Sequence, residues 1–239
     1  MKPFATAAAT LIFLGASAVQ AYQPLRWNPM DIYILEGKAG GPRMLTVYDA
    51  DGERLNQASF EYDASGRLVR EVYTTSGGTP DGYSTYTYSD GRITEERLYD
   101  STGNLVNRSI FTYAGTSLAR MEIQNADGQP ILRQEYTVQS GRIEGGSEWN
   151  AGENLRFQIL YGQHGQAAVT MRSSEEGELA RIQFTRDELG RVASRLRAQG
   201  DARSKVDYSY DSEGRITECR YFSQAGEQWI LERILRFSY

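Results

Sequence analysis

Polar and apolar residues alternate along this chain in short stretches, and each stretch ends at a glycine. Ser59-Phe60-Glu61-Tyr62, Arg181-Ile182-Gln183-Phe184 and Val206-Asp207-Tyr208-Ser209-Tyr210 have the two-residue period of half-buried strands. Sixteen turn glycines, from Gly40 to Gly226, recur at gaps of 10 to 14 residues. A glycine at that spacing closes one strand and opens the next, which predicts an antiparallel meander of about seventeen short strands. Phe60 and Tyr62, Tyr86 and Tyr88, Phe111 and Tyr113, Phe157 and Ile159, and Ile182 and Phe184 mark the apolar face. A sheet with one apolar face must bury it, and open sheets rarely exceed ~10 strands without curling. The expected fold is therefore all-β, a single long meander strongly curled or closed into a barrel-like shell.

The turns have a chemistry of their own. Asp63-Ala64-Ser65-Gly66-Arg67 and Asp211-Ser212-Glu213-Gly214-Arg215 put a carboxylate where it can accept turn N–H groups. Glycine follows three residues later, where a left-handed backbone is needed. Tyr62-Asp63-Ala64-Ser65-Gly66-Arg67-Leu68 and Tyr210-Asp211-Ser212-Glu213-Gly214-Arg215-Ile216 resemble YD repeats, the tandem hairpins of Rhs-type and teneurin-like shell proteins. Tyr48-Asp49-Ala50-Asp51-Gly52, Tyr88-Ser89-Asp90-Gly91-Arg92 and Tyr99-Asp100-Ser101-Thr102-Gly103 are weaker copies, and degenerate versions run from about Tyr48 to Gly226. The resemblance implies a hairpin-repeat architecture and carries little information about activity. This chain departs from the large family members in being short, and it is expected to be an exported member without an effector domain.

In a meander, successive turns fall on opposite edges. Counting from Gly40, the Gly-Arg turns are all odd, and they place Arg67, Arg92, Arg142, Arg191 and Arg215 on one rim. The other rim has Glu53, Glu153, Glu178 and Glu227 after its glycines, with Asn104 and Gln129 at two more. An arginine row fits carboxylate, phosphate or an acidic partner. The competing reading pairs each arginine with the aspartate of its own turn, worth ~0.2–1 kcal/mol when exposed.

The first residues have the form of a secretory signal. Lys2 is followed by an apolar run from Ala5 to Ala18, and Val19-Gln20-Ala21 offers a cleavage site. The expected organisation is a signal peptide over 1–21, a lead-in over 22–30 and the hairpin repeats over 31–239. Cleavage would move the formal charge from −5 to −6, which disfavours nucleic acid as a partner. With a single cysteine, Cys219, no intramolecular disulfide can form.

Candidate chemistry is sparse. Tyr86, Tyr88, Trp149 and Trp229 are weak candidates for aromatic platforms to a glycan or apolar ligand, set against their ordinary use in packing. His164 has no second imidazole for a zinc site, and Cys219 has no positioned base. Asp49-Ala50-Asp51-Gly52-Glu53 and Asn125-Ala126-Asp127-Gly128 resemble the opening of a calcium loop but lack its closing glutamate. Glu95-Glu96 and Glu175-Glu176 are neighbours that a strand would turn to opposite faces. No catalytic constellation, metal site or cofactor is predicted. The chain reads as a non-enzymatic binding or scaffold module of the bacterial envelope, periplasmic or at the cell surface, meeting an envelope protein or a glycan. A carrier shell holding a glycan or apolar ligand is the second reading. The third is an outer-membrane barrel, suggested by the alternation of Leu235, Phe237 and Tyr239, though membrane association is not expected.

Overall fold

A computed structural model describes residues 29–35, 38–139, 142–161, 168–173 and 177–239. The expected signal peptide, His164 and Glu175-Glu176 lie outside these residues. A single helical turn, α1 (Asp31–Ile34), precedes the strands. The strands are β1 (Met44–Asp49), β2 (Arg54–Tyr62), β3 (Leu68–Thr75), β4 (Pro80–Ser89), β5 (Arg92–Tyr99), β6 (Leu105–Ala114), β7 (Ser117–Asn125) and β8 (Pro130–Gln139). They continue as β9 (Arg142–Asn150), β10 (Leu155–Tyr161), β11 (Ala168–Ser173), β12 (Gly177–Arg186), β13 (Val192–Gln199), β14 (Ala202–Tyr210), β15 (Ile216–Ala225) and β16 (Gln228–Ser238). The expected antiparallel meander is present, with sixteen strands among the described residues where about seventeen were predicted. The first strand begins at Met44, after the helical turn.

Each strand pairs with its sequence neighbours. β1 also pairs with β16, from Met44 opposite Ser238 to Asp49 opposite Arg233, so the strand order closes on itself as a barrel. One buried cluster runs around the enclosed face, including Leu45, Val47, Phe60, Leu68, Ile93, Ile159, Ile182, Val206, Cys219 and Leu235. The alternation in the sequence is the cause: β2 buries Asn56, Ala58 and Phe60 and turns Gln57, Ser59 and Glu61 away.

The turn chemistry repeats as the sequence implies. Asp63 Oδ1 accepts the N–H groups of Ser65 and Arg67, both at 2.9 Å, and Gly66 donates its N–H to the Asp63 carbonyl. Gly66 sits at φ +78°, the left-handed conformation that closes the turn. Asp187 and Asp211 repeat the arrangement. On the opposite rim, Asp49, Asp100 and Asn150 receive turn amides in the same way.

α1 and the segment that follows it cover one end of the barrel. Met30 and Tyr33 are buried in the core cluster, and the Tyr33 hydroxyl lies 3.3 Å from that of Tyr239. Tyr62 donates its hydroxyl to the Pro42 carbonyl at 2.7 Å. A Cβ at Gly66 would lie 2.9 Å from that of Ala39, so the segment passes directly over the β2–β3 turn. The covered end is the rim that carries the arginines.

Candidate functional site

At three of its turns the arginine rim is built from the same three contacts. Arg67, Arg191 and Arg215 each send Nε to the aspartate of their own turn, at 2.7 or 2.8 Å. Each guanidinium also lies over the tyrosine of a following hairpin: Arg67 over Tyr88 at 5.2 Å, Arg191 over Tyr210 at 4.4 Å, Arg215 over Tyr239 at 4.3 Å. The same tyrosines donate to the carbonyl just past the arginine, Tyr88 to Leu68, Tyr210 to Val192 and Tyr239 to Ile216. Ion pair, cation–π contact and hydrogen bond together fasten one hairpin to the next. Arg92 lies over Tyr113 at 5.5 Å and donates to the Gly115 carbonyl, while the side chain of Arg142 lies outside the described residues. For three of the five arginines, the turn-local reading therefore describes the carboxylate partner.

The aromatic candidates are not brought together. Tyr86 and Tyr88 share the enclosed face of β4, Tyr86 in the core and Tyr88 at the rim. Trp149 lies under Arg133 on β9, and Trp229 is 37% exposed near Lys205 at the opposite rim. Cys219 is fully buried, and burial pushes its thiol far above the ordinary range. The Asp49 carboxylate is occupied by turn amides. Glu95 pairs with Arg97 at 2.9 Å while Glu96 turns the other way, to Ser84, as strand alternation requires.

Sequence reasoning missed two features. The first is a polar cluster inside the barrel. Glu71 is 2% exposed and opposite Ser84, and Tyr86 is opposite Glu96. Tyr73 donates to Glu71 Oε2 at 2.9 Å, its oxygen is 3.0 Å from Ser84 Oγ, and Ser84 reaches Glu96 Oε1 at 3.3 Å. Burial first, and then the nearby Glu96, push the Glu71 carboxyl up to about 7, and burial raises Glu96 as well. A second buried carboxylate, Glu148, accepts from Gln134 and from Arg156. Glu71 stands opposite Phe60 in the register, on the enclosed face, and its charge hides that placement from a reading of the sequence by polarity.

The second feature is a cleft of about 390 Å³ where α1 meets the rim of β12 to β16. Ile32, Tyr33 and Lys38 form its cover, Tyr208, Tyr210 and Tyr239 its aromatic wall, and Val192 and Ile216 its apolar patches. Arg186, Arg191 and Arg215 enter from the rim. Burial holds the hydroxyls of Tyr208, Tyr210 and Tyr239 above the ordinary tyrosine range, so they stay protonated. No sequence signal marks Lys38 or Arg186, because neither belongs to the Gly-Arg series.

No family model matches the chain, and no curated protein matches it. Solved structures do. A porin-like protein from Bacteroides uniformis is similar at a TM-score of 0.54 and 12% identity, over 82% of this chain and 96% of that one. A porin-like protein from Bacteroides vulgatus gives 0.41 at 10% identity, over 83% of this chain and 98% of the other. A chain of the Photorhabdus luminescens Tc holotoxin pore gives 0.37 at 14%, over 74% of this chain and 9% of that one. The first of these shows a shared fold.

Proposed function

We propose that the chain is a non-enzymatic, exported β-barrel of the YD-repeat type that works in water in the bacterial envelope, binding its ligand or partner at the covered mouth. The observation that carries this reading is the polarity of the barrel wall. The enclosed face is mostly apolar, and the outer face has ion pairs within and between its strands. Arg97 meets Glu95 at 2.9 Å, Lys205 meets Asp207 at 2.8 Å, and Glu218 lies between Arg220 and Arg236 at 2.6 and 2.9 Å. A lipid-facing barrel needs the reverse, an apolar outer band, and each Arg or Lys at mid-bilayer costs ~2–4 kcal/mol. The porin-like neighbour keeps an outer-membrane barrel as the second reading, which the charged wall disfavours. Export rests on Lys2, the apolar run and Val19-Gln20-Ala21.

Fractionation of the native host tests the reading. Alkaline carbonate should release the protein from the envelope, whereas retention until detergent is added would favour the lipid-embedded alternative. Native mass spectrometry of the released protein then reports the ligand or partner. A bare mass in every preparation would remove tight ligand carriage and leave the scaffold role.

A further inference from the structure

We infer that the cleft beneath α1 is a subsite for a small organic anion, a carboxylate or a phosphate ester on a compact body. This deepens the binding-protein reading and rests on it. The chain as a whole is acidic, at −5, yet four cationic side chains and no side-chain carboxylate line this cleft. Their state of neutralisation differs. Arg215 is largely occupied, with Nε on Asp211 and Nη1 3.1 Å from Glu213. Arg191 commits Nε to Asp187 at 2.7 Å and lies against Tyr210, which sets the plane of the guanidinium. Its Nη1 points toward Gly214, where an added Cβ would still be 4.0 Å away. Lys38 and Arg186 pair with no carboxylate among the described residues, and Arg186 is held by donating to the Gly190 carbonyl at 2.7 Å.

Three positive groups from two parts of the chain thus converge on one space: Lys38 from the cover, and Arg186 and Arg191 from the end of β12 and the turn after it. Two of them are oriented before any ligand arrives, one by a carbonyl and one by a carboxylate and an aromatic face. Pre-organised guanidinium groups lose little freedom when they bind an anion, which is the usual basis of carboxylate and phosphate recognition. The volume suits a small molecule rather than a polymer. Ile32, Val192 and Ile216 offer apolar contact to the body of the ligand while the cations take its charged end.

Calorimetric titration of the mature protein at low ionic strength tests this, with glucose 6-phosphate and benzoate as anionic probes and glucose as the uncharged control. At least one anionic probe should saturate, more weakly as salt is added, and glucose should not. Arg186→Gln and Lys38→Gln should each weaken that binding about tenfold or more, the loss expected for one charge-assisted contact. Which probe saturates identifies the head group as phosphate or carboxylate. Both side chains are exposed, and circular dichroism of each variant verifies its fold. Absence of saturation by either probe up to about 10 mM overturns the inference, as does equal affinity in wild type and both variants. A neutral ligand retained undiminished by Arg186→Gln in native mass spectrometry would also overturn it, while leaving the binding-protein reading intact.

Discussion

Tyr88 and Tyr113 hold equivalent positions in successive hairpins, each just past a register shift and beneath an arginine. Tyr88 donates to the Leu68 carbonyl at 2.7 Å, but the buried hydroxyl of Tyr113 has no hydrogen-bond partner among the described residues. Removing the two oxygens should therefore have opposite consequences. Tyr88→Phe should lose about 1 kcal/mol in a denaturant titration, whereas Tyr113→Phe should be neutral or slightly stabilising, because it removes an unsatisfied buried group. An equal loss at both positions would show that the Tyr113 hydroxyl is satisfied in solution as the Tyr88 hydroxyl is. The glycines make a similar pair. Gly52 and Gly66 both have positive φ, at +86° and +78°, so alanine should cost about 1 kcal/mol at either. Gly66→Ala should cost more than Gly52→Ala, since only Gly66 lies against Ala39. A matching loss at both sites would mean the covering segment does not press on that turn.

At the scale of the element, each hairpin is local, and that is why the turns were legible. The Asp-to-Gly spacing and the alternation on either side act within one hairpin, so one stretch of sequence contains the whole cause. The Arg–Tyr stacks were not legible, because they join residues 19 to 24 positions apart in neighbouring hairpins. The buried glutamates were missed for a different reason. Charge normally marks the solvent face, and here the strand period places Glu71 on the enclosed one, where its neighbours are Tyr73, Ser84 and Tyr86. That placement has a pH signature. The Glu71 carboxyl rises from 4.5 to about 7 on folding. Between those values the folded chain holds more protons than the unfolded one, so stability falls as pH rises through the window. Glu71→Gln should therefore stabilise the protein by about 1–3 kcal/mol at pH 8 and change little at pH 4. The comparison is of urea midpoints at the two pH values, and a loss at pH 8 would show that the ionised carboxylate is needed by its neighbours.

For the whole molecule, the wall and its closure matter most. Among the described residues, sixteen paired strands leave no free edge, since β1 and β16 complete the ring. Backbone amides of β1 and β16 should thus exchange with solvent as slowly as those of β7 and β8, measured by hydrogen exchange at neutral pH. Fast exchange confined to β1 and β16 would mean that the ring opens in solution. The sequence called for curling or closure from strand number alone. It gave no sign of α1 over one mouth, because a four-residue helical turn has no period to read. The cleft depends on that cover, so its basic lining could not be assembled from the Gly-Arg series.

The ring has a consequence for how the protein comes into being. A chain synthesised from its N-terminus delivers β1 first and β16 last, and nothing in between can stand in for the missing partner. Throughout that interval β1 offers an unpaired edge, and so does whichever strand has most recently emerged. Such edges are templates for pairing between molecules. The hairpins can form one by one as they appear, but the final join brings together residues nearly the length of the barrel apart, which is the slow kind of contact. The vulnerable species is therefore the nearly finished chain, and a lesion near the C-terminus should reveal itself as aggregation during synthesis rather than as a weakened folded protein.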